Sequence, residues 1–146
     1  MGMEVKIKRI YGNAKIPTKG STMAAGYDLY ACMDKAIFIK PHATEVIGTG
    51  LSMELPYGTF GAIFPRSGIA TKKGLAPANK VGVCDQDYRG EYKVALHNHS
   101  DRTQWVNPGE RIAQLIIMPY LDANFIEVGG LPETERGIGG FGSTGE

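Results

Sequence analysis

Twenty glycines and eight prolines are spread along the 146 residues, and they leave few stretches in which a helical stripe could run. Glycine weakens a helix interior, and proline removes a donor and clashes with the preceding turn. What survives between them is a series of short β-favouring runs, at 5–10, 36–39, 45–47, 51–55, 59–64, 92–98 and 111–118. Pro41, the Pro56-Tyr57-Gly58 segment and the Asn107-Pro108-Gly109 segment supply the clearest turns between them. Short runs separated by turn signals predict an all-β chain, an antiparallel sandwich or barrel. One segment departs from this. Ser67 to Gly74 carries a capping residue at its start, lysines at its end and a glycine stop, which predicts one short helix of about two turns. The N–H groups at the start of such a helix suit an anion.

A chain of this length is one domain, and a domain of this size buries roughly 70% of its unfolded surface, so it needs no staples. The formal net charge is +1 and the lysines are scattered, which argues against nucleic-acid and membrane-surface binding. No apolar run approaches the ~20 residues of a membrane span. The N-terminus lacks a signal-peptide core, and Lys6 stands where a myristoylation motif needs Ser or Thr. Cys32 and Cys84 have neither metal-ligand spacing nor a disulfide framework around them, so two free thiols in a reducing compartment are expected. The predicted location is the cytoplasm.

Four places could carry chemistry. The tail from Gly137 to Thr144 nearly spells a P-loop, but Ser143 replaces the lysine and no helix can follow. Its glycines and hydroxyls still suit a phosphate chain. Composition alone favours a flexible tail, whereas Phe141 points to a lid that stacks on a base. The segment Gly82 to Gly90 superficially resembles a calcium loop, yet Arg89 and Leu96 occupy ligand positions, which rejects calcium. It is either a plain hairpin turn or a carboxylate displayed to activate water, and composition does not separate the two. Asp28 lies in an apolar stretch, as a turn residue or facing a hydrated Mg²⁺. His97 and His99 share one face of a strand without a third ligand nearby, so a structural or solvated role is expected rather than zinc.

Together these segments resemble the trimeric dUTPase family. Five motifs occur in order: AAGYDLYA at 24–31, PRSGIA at 65–70, GVCDQDYRGEYKVALHN at 82–98, GERIAQLII at 109–117 and RGIGGFGSTG at 136–145. The resemblance spans nearly the whole chain and implies hydrolysis of dUTP to dUMP and pyrophosphate. It also implies a jelly-roll-like β subunit, a homotrimer with two further copies of itself, and active sites built from different subunits. The chain then divides into a β-rich domain at 1–135 and a mobile tail at 136–146 that closes an active site.

Carried over by motif, Asp85 is the general base that orients the attacking water, and Tyr88 packs on the sugar and leaves no room for a 2′-hydroxyl. Val83, Cys84, Asp85 and Lys93 form the uracil slot, with Asn79 supporting the base. Fixed donors and acceptors in such a slot reject a wrong base because buried polar groups would be left unpaired. Arg66, Ser67, Gly68 and Gln114 meet the phosphates. Arg136, Gly142, Ser143 and Thr144 grip the outer phosphates from the tail, with Phe141 stacked on uracil. Asp28 meets Mg²⁺ through water, the ion being held mainly by the phosphates.

Two positions depart from the family pattern. Cys84 replaces an aliphatic residue and brings a thiol to the base slot, where its modification is expected to inhibit. His97 replaces a larger apolar residue. Two rival readings are a dCTP deaminase of the same fold and a catalytically idle dUTP-binding regulatory protein. The first needs a different pattern after Ser67, and the second should show losses at Asp85, Tyr88 or the tail, all of which are intact. No feature of the sequence calls for a regulatory protein partner.

Overall fold

The computed structural model describes residues 2–143 and 145. Along the described chain run β1 (Lys6–Arg9), β2 (Tyr27–Tyr30), β3 (Ile37–Ile39), β4 (Thr44–Gly48), β5 (Leu51–Glu54) and β6 (Thr59–Phe64). They are followed by α1 (Ser67–Lys73), β7 (Leu75–Pro77), β8 (Gly82–Cys84), β9 (Lys93–Asn98), β10 (Gln104–Val106) and β11 (Arg111–Pro119). The strand order in the largest sheet is β2-β11-β6-β8, and a second sheet runs β4-β9-β7. Two ribbons, β1-β5 and β10-β3, complete the set, and every pairing is antiparallel. The expected all-β chain with one short helix is present, but the sheets do not close into a barrel.

β11 is the spine. Its Ile112 and Ala113 are both buried in succession, a departure from strict one-sided alternation. The register against β2 shifts between Arg111 and Ala113, and such a bulge reorients the inward face. β9 alternates cleanly, with Val94, Leu96 and Asn98 inward. Buried Asn98 is satisfied throughout: its Nδ2 donates to the carbonyls of Ile39 and Arg102, and its Oδ1 accepts from the Ser100 N–H. That side chain pins β3 and the following turn to the β9 end. The core gathers Leu29, Ile39, Leu51, Leu96, Ile112 and Leu115 from different sheets.

Four strands escape the sequence reading: β2, β7, β8 and β10. Each has three or four residues, and Asp28 and Pro77 break the apolar pattern in two of them. Pro77 is tolerated because β7 is the edge of its sheet. The helix is capped one residue earlier than expected. Arg66 takes the N-cap position with an extended backbone, and Ser67 is the first helical residue with no side-chain cap bond. Gly74 ends the helix as expected, in the left-handed conformation at φ 67°.

After Pro119 the chain leaves the body. From Tyr120 to Ile138 every residue is exposed, and no strand or helix forms among the described residues that follow β11. Leu121, Phe125, Ile126 and Leu131 lie bare along this arm. Among the described residues, no helix is long and apolar enough to cross a membrane.

Candidate active site

Two clusters hold most of the expected residues, and they stand at opposite ends of β6. The first forms around the turn after β8. Cys84 pairs with Gly61 and Val83 with Ala62, which delivers Asp85 to the point where the chain leaves the sheet. The turn is tied by the Tyr88 N–H donating to the Asp85 carbonyl over 3.1 Å, and by Arg89 Nη1 donating to the Gln86 carbonyl over 2.7 Å. The Tyr88 hydroxyl donates to the Glu91 carbonyl, and the ring lies directly over Gly90. A β-carbon at Gly90 would overlap that ring, so only glycine lets Tyr88 lie there. A cavity of about 220 Å³ opens beside this turn, lined in part by Asn79, Val83, Asp85, Tyr88, Tyr92 and Lys93. Gly82 lets Asn79 approach, since a β-carbon there would lie 3.3 Å from Asn79 Nδ2.

The second cluster forms across three strands in one row: Asp28 on β2 faces Gln114 on β11, and Gln114 faces Phe64 on β6. Gln114 Nε2 donates to the Pro65 carbonyl over 2.9 Å, and its side chain covers Gly26. Asp28 is buried, with one oxygen 2.7 Å from Arg66 Nε and the other 3.3 Å from Arg111 Nη1. A buried carboxylate needs such partners, because desolvating an unpaired charge is costly. Ser67 and Gly68 follow at the exposed helix start. This cluster concentrates two guanidinium groups and an amide beside one carboxylate, a setting for a polyanion with a hard cation.

Along β6, Gly61 (opposite Cys84) and Phe64 (opposite Gln114) are three residues apart, about 10 Å. Asp85 follows Cys84 toward the Thr59 end of β6, level with Phe60, whereas Arg66 lies beyond Phe64 at the other end. Neither Arg66, Gln114 nor Asp28 lines the Asp85 cavity. One chain therefore does not bring its two clusters together. Nor does it bring the tail to either one. Arg136 donates to the Gly139 carbonyl in a local curl, and Phe141 is fully exposed with φ at 51°. Gly142 and Ser143 lie on the same exposed curl, and Thr144 lies outside the described residues.

Arg111, Glu91 and Tyr92 belong to these clusters but escape the sequence reading. Arg111 and Glu91 lie inside quoted motifs, yet charge alone does not say what each faces. Glu91 Oε1 accepts from the Gly50 N–H over 2.9 Å, and its other oxygen lies 3.7 Å from Lys93 Nζ. Cys84 lines the cavity, as expected of its place in the motif, but it is poorly suited to react. Burial, then the neighbouring Asp85 charge, push its thiol up to about 11, so at neutral pH it stays protonated and weakly nucleophilic. The His97 and His99 rings meet edge to face at 4.5 Å, and His97 Nδ1 is 2.9 Å from Thr44 Oγ1. Burial, then His97, lower the His99 pKa. Among the described residues, no group of three His, Cys, Asp or Glu side chains is arranged to hold a metal.

The family model for dUTPase matches residues 12–145, which include both clusters and most of the tail. The chain belongs to the dUTPase family. A deoxyuridine 5′-triphosphate nucleotidohydrolase of Nautilia profundicola is 47% identical over 144 residues, 99% of this chain and all of the relative. The enzyme of the same name from Saccharomyces cerevisiae is 46% identical over 142 residues, covering 97% of this chain and 94% of that one. Among solved structures, a mutant dUTPase of Staphylococcus bacteriophage 80alpha with dUpNHpp superposes with a TM-score of 0.88 at 25% identity. That match covers 98% of this chain and 99% of the other. For a dUTPase, the division of the clusters between two ends of β6 becomes the central structural question.

Proposed function

We propose that this chain hydrolyses dUTP to dUMP and pyrophosphate in active sites shared between copies of itself. The observation that carries this reading is the position of Asp85. The end of β8 sets its carboxylate at the rim of a cavity walled by Asn79, Val83 and Tyr88, where it can orient a water toward a phosphate beyond the nucleoside. In this reading the cavity takes the deoxyuridine, with the β8 backbone and Lys93 reading uracil and Asn79 supporting it. Tyr88 over Gly90 leaves no space for a 2′-hydroxyl. Arg66, Ser67, Gly68 and Gln114 hold the triphosphate, and charge developing on the leaving pyrophosphate is stabilised there.

Because the two clusters are separated on one chain, a second copy brings its phosphate cluster to the Asp85 cavity of the first. A third contributes the tail, so that Arg136, Gly142, Ser143 and Thr144 reach the outer phosphates and Phe141 stacks on the base. The homotrimer is supported by the exposed arm. Burying a large apolar side chain contributes about 1.5–3 kcal/mol, and Leu121, Phe125, Ile126 and Leu131, bare on one chain, would gain this against another copy. In this scheme the β-rich body at 1–135 acts as scaffold and 136–146 as the closing segment, which excludes bulk water from the reacting phosphate.

Mg²⁺ fits the donor set. It binds through one or two carboxylates plus substrate phosphates while keeping several waters, and Asp28 is the carboxylate of the phosphate cluster. When bound, Mg²⁺ supplies charge neutralisation along the triphosphate. Asp28 holds Arg66 and Arg111 in place from its two oxygens and would meet the ion through water. The cytoplasm, where dUTP arises, is the proposed location.

The test is pyrophosphate release from dUTP, dCTP, dTTP and UTP in parallel, with Mg²⁺ and with EDTA. Turnover confined to dUTP and weakened by EDTA is expected. Ammonia release from dCTP would favour the deaminase, and dUTP binding without turnover would favour the idle binder.

A further inference from the structure

Asp85 stands exposed at the cavity rim, so its aim is set by the turn that carries it. The bonds from Tyr88 to the Asp85 carbonyl and from Arg89 to the Gln86 carbonyl shape that turn from within. Neither fixes it to the body. Burial alternates through β8 and beyond it: Gly82 and Cys84 are buried, Val83, Asp85 and Asp87 are exposed, and Gln86 is half-buried. Gln86 thus continues the inward face of the strand, where a polar side chain calls for partners.

It has two. Gln86 Oε1 accepts from the Gly58 N–H over 2.9 Å and, more weakly, from the Tyr120 hydroxyl over 3.4 Å. Gly58 is itself held, at φ 75° in the turn between β5 and β6, where the Thr59 N–H and Oγ1 both donate to the Pro56 carbonyl. The Gly58 carbonyl accepts from the Tyr120 N–H over 3.1 Å. Gly58 therefore binds Gln86 with its N–H and the root of the arm with its carbonyl. The register agrees, since Cys84 faces Gly61 and the chain after it runs toward the Thr59 end of β6. Asp85, Gln86 and Tyr120 also share the wall of a second cavity, of about 700 Å³, so the carboxylate and the arm root face one space.

We propose that Gln86 is a positioning residue for the hydrolysis, whose side-chain oxygen locks the turn that aims Asp85 to the β5–β6 turn and to the arm root at Tyr120. The proposal rests on the reading of Asp85 as the general base. Gln86 acts through the backbone it adjoins, and small displacements matter there, because a misplacement of about 1 Å can cost ~10²-fold in rate. Both bonds use Gln86 as an acceptor, so a carboxylate can replace its amide and an alkyl group cannot.

The test compares wild type, Gln86→Leu, Gln86→Glu and Asp85→Asn for kcat on dUTP and for affinity toward a non-hydrolysable dUTP analogue. Gln86→Leu is expected to lower kcat about 5- to 50-fold while the Kd stays within about twofold, the mark of a group that serves the reacting step and not binding. Gln86→Glu, which keeps the acceptor, is expected to hold kcat within about threefold of wild type. Wild-type kcat in Gln86→Leu overturns the proposal. So does an equal loss in both Gln86 variants, or a Kd that weakens in Gln86→Leu by as much as kcat falls, which would mark a general disordering of the cavity. If Asp85→Asn turns over normally, the base reading falls and this inference with it. If Asp85→Asn is inactive while Gln86→Leu is normal, this inference alone is lost.

Discussion

Arg66 donates from Nε to Asp28 Oδ1 over 2.7 Å, and this bond joins the helix start to β2 across 38 residues of chain. It fixes the extended backbone at Arg66 from which α1 begins, and it gives a buried carboxylate its principal counter-charge. Arg66→Ala should therefore affect the fold as well as phosphate binding. The expected loss is about 3 kcal/mol, at the low end for a broken buried pair because Arg111 remains on the other oxygen. Chemical denaturation should show it, together with a raised KM for dUTP.

Asp85→Asn tests the proposed base directly. The amide preserves shape and hydrogen bonding at the cavity rim but cannot take a proton. kcat is expected to fall by about 10²–10⁴, the range of general base catalysis, with KM nearly unchanged. Stopped-flow proton release on dUTP would measure it.

Gly90→Ala places a methyl group where the Tyr88 ring lies. The ring must move, and with it the proposed sugar gate. Preference for dUTP over UTP should fall about tenfold, roughly 1.4 kcal/mol, as read from the ratio of kcat/KM values.

The Cys84 thiol is raised to about 11, chiefly by burial. The folded state favours the protonated form, so this stabilisation is complete below the unfolded value of 9.0 and is lost as pH rises through about 11. Iodoacetamide at pH 7.5 should leave Cys84 unmodified and dUTP turnover intact, as mass spectrometry and assay would show. Modification should accelerate as the pH approaches 11. Inhibition through this thiol, an attractive idea from its place in the motif, therefore requires alkaline conditions.

Two truncations separate the arm from the tail. Ending the chain after Glu135 should abolish efficient turnover while the oligomer survives. Ending it after Pro119 should also release monomers, because the apolar side chains of the arm would be gone. Light scattering distinguishes the two.

Much of the fold was legible because its strands carry their own signal. The alternation of Val94, Leu96 and Asn98 marks β9, and the apolar run of 111–118 marks β11. The glycine stop at Gly74 was equally plain, since a left-handed cap favours glycine. β8 and β10 left no comparable trace. Three residues are too few for periodicity to appear, and these strands exist because longer partners or a second short strand present open edges. Asp28 looked anomalous among apolar neighbours, but its sequence context could not name the two guanidinium groups that make its burial tolerable.

By itself the sequence determined a β-rich chain with one short helix, its family through five ordered motifs, and the residues that belong to each. Local pattern and residue identity suffice for that, because turns, caps and motifs are written within a few positions. Only the tertiary structure decided that Asp85 stands toward one end of β6 and Arg66 beyond the other, that the arm leaves the body at Tyr120, and that the Tyr92 hydroxyl is stranded inside. Those facts depend on which strands pair and in what register, and pairing joins residues too far apart in sequence for local pattern to specify.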